Sequence, residues 1–245
     1  MMQLEQLTVG YGDKCLIEGA NATIEPGRLT ALIGRNGAGK SSLLRVLCGI
    51  DAPKSGSVSL DGQDLRSLSQ PARARVISFV TTQRVRISNL RCRDVVGMGR
   101  APYTDWIGRL TENDKDIVQR SMEMVDMQGY AERMLHTLSD GECQRIMIAR
   151  ALAQQTPVIL LDEPTSFLDV PNRYETCRLL QRLAKDENKM IIFSTHELDI
   201  ALNLCDDIML IDSPKLLFGS TKEIVESGAI ERLFHVKEYG KKYAE

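Results

Sequence analysis

The stretch that most constrains this chain is Leu29-Thr30-Ala31-Leu32-Ile33-Gly34-Arg35-Asn36-Gly37-Ala38-Gly39-Lys40-Ser41-Ser42. An apolar run able to lie buried as a strand leads into G-x-x-x-x-G-K-S, and the helix-like Leu43-Leu44-Arg45-Val46-Leu47 follows. Glycines let the backbone wrap a polyphosphate closely, with successive N–H groups turned inward and the positive end of the next helix behind them. In such a loop Lys40 reaches the terminal phosphates and the Ser41 hydroxyl becomes a ligand for Mg²⁺. The stretch predicts a nucleoside-triphosphate site but does not say which kind of NTPase carries it.

With 245 residues, 43% of them hydrophobic, the chain can bury the core of one large α/β domain, or of a core with an inserted lobe. A formal net charge of −2 supplies no general attraction to nucleic acid, and none is expected as a partner. The amino terminus lacks a charged stretch followed by an apolar segment, so no signal peptide is expected. No run approaches the ~18 consecutive apolar residues of a membrane span, so a soluble protein is expected. Cys15, Cys48, Cys92, Cys143, Cys177 and Cys205 form no C-x-x-C pair and no histidine cluster. They are expected to be buried, reduced thiols of a cytosolic protein.

Residues 1–23 read as short strands with a turn, Leu7 and Val9 alternating into Tyr11-Gly12-Asp13. Turn residues at 53–56 and 61–62 flank Val58-Ser59-Leu60 and extend a β layer. Residues 75–80 give a further strand ending in Thr81-Thr82-Gln83, where Gln83 is either a ligand contact beyond a buried strand or simply the first loop residue. From 85 to 155 the pattern is helical, and Thr111-Glu112-Asn113-Asp114 has the spacing of a helix start. Leu138-Ser139-Asp140-Gly141-Glu142-Cys143-Gln144-Arg145 opens the next helix. Ser139 or Asp140 is there either a cap alone or, with Gly141 and the helix N-terminus, part of a second anion site.

The run Val158-Ile159-Leu160-Leu161 reads as a central strand buried on both faces and ends in Asp162-Glu163-Pro164. Two adjacent carboxylates need cationic compensation, which Mg²⁺ supplies for Asp162, leaving Glu163 as a base toward water. Ser166-Phe167-Leu168-Asp169 follows, and Pro171 opens a helix with Cys177, Leu180 and Ala184 on one face. A third apolar run, Met190-Ile191-Ile192-Phe193, ends in Ser194-Thr195-His196. Gly34, Asp162 and His196 are thus expected on one rim of one sheet.

Taken together, Tyr11, residues 34–42, Gln83, residues 138–144, Asp162, Glu163, Asp169 and His196 resemble the ATP-binding-cassette ATPases motif by motif and in order, over nearly the whole chain. The L-S-x-G-E/Q segment is the most discriminating part. The resemblance implies a phosphate-loop, RecA-like α/β core at residues 1–84 and 156–245, carrying an N-terminal antiparallel β layer. An inserted helical lobe at 85–155 would bear the signature segment, all within a single domain. It implies that Tyr11 stacks on adenine, that Lys40 binds the β and γ phosphates, and that Ser41 and Gln83 ligate Mg²⁺. Asp162 would hold the metal through water, Glu163 would orient and deprotonate the attacking water, and His196 would contact the γ-phosphate. Gly34, Arg35, Asn36, Gly37, Ala38, Gly39, Ser42 and Asp169 belong to the same ATP-contacting set. Ser139 and Gly141 would complete the site of a second copy in a head-to-tail homodimer with two ATP molecules.

The chain departs from the family's commonest L-S-G-G-Q at Asp140, which adds a negative charge beside the expected phosphate contact. Residues 99–111, Gly-Arg-Ala-Pro-Tyr-Thr-Asp-Trp-Ile-Gly-Arg-Leu-Thr, are similar to a segment of bacterial importer ATPases for iron-siderophore, haem and cobalamin uptake. The chain stops soon after the cassette, in keeping with that assignment. The resemblance then implies integral-membrane permease partners bound through the region from Arg84 to Arg109, an extracytoplasmic substrate-binding protein, and a cytoplasmic place on the inner face of the membrane. An exporter subunit and a non-transport cassette switch remain as alternatives on sequence alone.

Overall fold

The computed structural model describes residues 1–82 and 89–235. Strands β1 (Met2–Tyr11) and β2 (Lys14–Ile24) pair antiparallel across Gly12-Asp13. Inward side chains on β1 switch from Met2 and Leu4 to Leu7 and Val9, and the register slips between the two sets as a bulge requires. β3 (Leu29–Gly34) is buried along its length and runs through the loop into α1 (Lys40–Leu47). β4 (Ser55–Leu60) and β5 (Gln63–Asp64) complete an antiparallel sheet of order β2-β1-β4-β5. A short α2 (Gln70–Arg73) precedes β6 (Ile77–Val80). The Val76 N–H donates to Arg73 O, so the last turn of α2 consumes residues 75–76 and the strand expected from 75 starts at Ile77.

Among the described residues, three α-helices lie between β6 and the next strand: α3 (Cys92–Gly97), α4 (Glu112–Met124) and α5 (Asp140–Ala153). Thr111 caps α4 and exchanges hydrogen bonds with Asp114, and Ser139 does the same for α5 with Glu142. The chain continues through β7 (Val158–Leu161), α6 (Val170–Asp186), β8 (Met190–Ser194) and α7 (Leu198–Leu204). A hairpin that the sequence reading had not picked out, β9 (Asp207–Asp212) with β10 (Lys215–Ser220), precedes α8 (Thr221–Glu226) and α9 (Ala229–Phe234).

The second sheet has the order β10-β9-β3-β8-β7-β6, parallel except for β10. β3, β8 and β7 are neighbours, so Gly34, Thr195 and Asp162 leave the sheet at the same carboxyl rim. One apolar core lies between the two sheets and includes Leu43, Leu44 and Leu47 of α1. The other packs α3 to α7 on the opposite face and takes in residues 146–149 and 151–153 of α5. Just after α5, Gln154 Nε2 donates to Ala74 O at 2.6 Å and Ile77 O at 3.1 Å, tying the helix end to β6. None of the six cysteines is joined in a disulfide. Only Cys92, Cys177 and Cys205 are buried, whereas Cys48 and Cys143 are half-buried and Cys15 is exposed, because β2 turns it outward at the sheet's end.

Candidate functional site

At the carboxyl rim of β3 the chain makes a tight loop, with the Ala38 N–H donating to Arg35 O at 3.1 Å. Gly39 adopts φ 107°, and a β-carbon there would lie 3.1 Å from Leu16, so only glycine fits both the backbone and the space. Lys40 follows as the first residue of α1, 7% exposed, and its Nζ donates to Gly34 O at 3.1 Å. Among the described residues, this buried ammonium bonds to a neutral carbonyl, which leaves an anion as its natural charge partner. The loop opens on a cavity of ≈ 620 Å³ lined by Asn36, Gly37, Gly39, Lys40, Ser41 and Ser42. Tyr11, Leu16, Glu163 and His196 close its other walls.

The acidic pair is held from both neighbouring strands. The Asp162 N–H donates to Val80 O at 2.8 Å, and Thr82 Oγ1 donates to Asp162 O at 3.0 Å. From the other side the fully buried Ser194 hydroxyl donates to Asp162 Oδ1 at 2.6 Å and accepts the Glu163 N–H at 2.8 Å. Glu163 sits at φ 47°, a left-handed conformation costly for a residue with a side chain. The Ser166 hydroxyl secures that turn by donating to Glu163 O at 3.0 Å. His196 enters the cavity from the loop after β8, which is anchored by the Thr195 N–H on Leu32 O at 3.0 Å. Arg173 of α6 pairs with the adjacent Glu197 at 3.0 Å. Tyr11 is 61% exposed at the cavity, with Lys14 Nζ 5.9 Å from its ring centroid, leaving aromatic surface available for stacking.

The structure therefore gathers Tyr11, Asn36, Gly37, Gly39, Lys40, Ser41, Ser42, Glu163 and His196 around one space. Gly34, Arg35 and Ala38 frame the loop without lining the cavity, and Asp162 lies buried behind Glu163. Asp169 does not reach it either: its carboxylate caps α6, accepting the Asn172 N–H at 3.1 Å. Ser139 and Gly141 are absent from its walls, and Gly141 faces Asn172 of α6. Gln83 lies outside the described residues. Leu16, Thr82 and Ser194 were not singled out from the sequence, and nothing local marks them: each acquires its place through a partner far along the chain. A hydroxyl at Ser41 and a carboxylate at Asp162 are oxygen donors of the kind a hard divalent cation takes. Among the described residues no three His, Cys, Asp or Glu side chains converge.

The family model described as ABC transporter matches residues 17–166. The chain is 40% identical over 238 residues to an uncharacterized ABC transporter ATP-binding protein of Methanocaldococcus jannaschii, spanning 97% of this chain and 82% of that protein. It is 34% identical over 237 residues to the petrobactin import ATP-binding protein FpuD of Bacillus anthracis, spanning 96% and 87%. A solved structure described as a metal-chelate type ABC transporter in an inward-facing conformation superposes with TM-score 0.85 at 29% identity, covering 96% of this chain and 89% of the other.

Proposed function

This chain belongs to the ABC transporter family, and from that premise we propose that it is the ATP-hydrolysing subunit of an importer for a metal chelate, an iron-siderophore, haem or cobalamin complex. The reading is carried by the single cavity in which Lys40, Glu163 and His196 meet. Phosphoryl transfer to water requires charge neutralisation on the γ-phosphate and a positioned nucleophile more than covalent help. Lys40, His196 and the N-terminus of α1 supply the first, and Glu163 supplies the second by orienting the water and taking its proton. Tyr11 stacks on the adenine. Mg²⁺, held by Ser41, Gln83 and Asp162, would neutralise further phosphate charge when bound.

No residue of α3, α4 or α5 lines the cavity, which supports a role for Ser139 and Gly141 at another chain's nucleotide rather than their own. A second copy placed head to tail gives them one, with two ATP molecules held between the subunits. Among the described residues no helix is long and apolar enough to cross a membrane, so transport calls for separate permease subunits. Exposed Met98, Tyr103, Trp106 and Ile107 offer apolar surface for such a partner, Trp106 being 93% exposed. Nearby, a groove of ≈ 510 Å³ runs past Ile50, Arg73, Ile77 and Phe79. The protein then works on the cytoplasmic face of the membrane, with a substrate-binding protein delivering cargo on the far side; the relative named for petrobactin import supports that direction.

Glu163→Gln should keep ATP binding and lose steady-state turnover, measured as phosphate release and nucleotide affinity on the same preparation. Undiminished turnover would remove Glu163 from the chemistry. Purification with an integral-membrane partner is the expected outcome for the intact assembly, and purification with nucleic acid or a soluble scaffold would contradict the transport role.

A further inference from the structure

The hydroxyl of Ser139, which the reading above turns toward the nucleotide of a second copy, is already engaged within its own chain. It donates to Glu142 Oε2 at 2.9 Å and accepts the Glu142 N–H at 3.3 Å, while the Ser139 N–H donates to the same Oε2 at 2.8 Å. The Glu142 carboxylate pushes the nearby Tyr130 hydroxyl above its ordinary range, and the Arg133 guanidinium lies 4.9 Å from the Tyr130 ring centroid. The Ser139 N–H bond, foremost among these, holds the Glu142 carboxyl below its ordinary range, so it is charged at neutral pH.

A serine hydroxyl has one proton to give. While that proton serves Glu142, the hydroxyl offers an arriving phosphate only lone pairs, and the carboxylate bonded to it adds a like charge. Closing on ATP must therefore move the Ser139 donor from carboxylate to phosphate, with no covalent bond changed. We propose that Glu142 is a positioning residue that latches Ser139 and sets how readily it engages nucleotide across the subunit interface. The inference rests on the two-copy site proposed above, and it gives a physical role to the glutamate that stands where the commonest signature has glutamine.

The test is an ATP titration with Mg²⁺ in the Glu163→Gln background, with dimer formation followed by analytical ultracentrifugation. Glu142→Gln keeps an accepting oxygen for the helix cap but exchanges a charge-assisted bond for a neutral one. It should lower the ATP concentration for half-maximal dimerisation roughly three- to tenfold. Glu142→Ala, which removes the accepting carboxylate altogether, should lower it at least as far. A merely structural cap would instead raise that concentration in both variants, or leave it unchanged, with matching losses in thermal unfolding. Dimerisation indifferent to Glu142→Gln, or weakened by it, overturns the latch alone. A Glu163→Gln protein that stays monomeric at saturating ATP overturns the two-copy reading, and the latch with it.

Discussion

At the scale of single residues the groups around the cavity have little freedom. Ser194 is fully buried and serves Asp162 and Glu163 at once through one hydroxyl. Ser194→Ala strips both of that partner, and a buried polar group left unsatisfied costs ~1–3 kcal/mol. Because the loss falls on the acidic pair rather than on the phosphate loop, kcat should drop by roughly tenfold or more with KM for ATP nearly unchanged. Threonine at this position should restore much of the rate, and a selective rise in KM would contradict the assignment. Lys40→Ala should do the reverse and abolish measurable nucleotide binding in titration calorimetry. Lys40, Glu163 and His196 were legible in the sequence because each is punctuation at the end of an apolar run. Ser194 and Thr82 were not, since a hydroxyl carries no pattern until β6, β7 and β8 lie side by side.

Among the elements, the segment linking α3 to α4 shows what sequence similarity alone left unexplained. A β-carbon at Gly99 would sit 2.2 Å from Arg150 O, so glycine lets this segment lie directly on α5. The next residue, Arg100, is buried and donates to Asp114 Oδ1 at 2.8 Å, Ala153 O at 2.8 Å and Gln155 Oε1 at 2.9 Å, while its guanidinium lies 4.0 Å from the Tyr103 ring centroid. One guanidinium thus joins the start of α4 to the end of α5. The Thr111 hydroxyl, then Arg100, hold the Asp114 carboxyl down to about 2, against an ordinary value of 3.8. With the folded-state value depressed, the stabilisation is fully present above the unfolded-state value and disappears as pH falls through the folded one. A shift of this size corresponds to roughly 2 kcal/mol. Urea unfolding should therefore show that stability lost progressively from about pH 4 toward pH 2, and Asp114→Asn should flatten the dependence. At neutral pH, Arg100→Met should cost ~3–5 kcal/mol by leaving Asp114 buried without its ion partner. The Thr111 cap could be read from its S/T-x-x-D spacing, whereas the role of Arg100 could not, because its partners come from 14 to 55 residues away.

On the scale of the whole molecule, the order β3-β8-β7 within one parallel sheet turns three separate apolar runs into a single rim. Their continuous hydrophobicity announced buried parallel strands, and the motifs at their ends announced where a ligand would lie. The β9–β10 hairpin escaped notice because its edge strand β10 is only partly buried and lacks the unbroken apolar run of its neighbours. On the proposed reading that rim is one half of a catalytic site, and Ser139 and Gly141 stand apart from the cavity on a different element. The central claim, that one site is built from two chains, is tested most directly by the mass of the Glu163→Gln protein in solution with Mg²⁺ and saturating ATP. Light scattering should give twice the 27.4 kDa of the chain with ATP and the single-chain mass without it. A protein that binds ATP yet keeps the mass of one chain would contradict it.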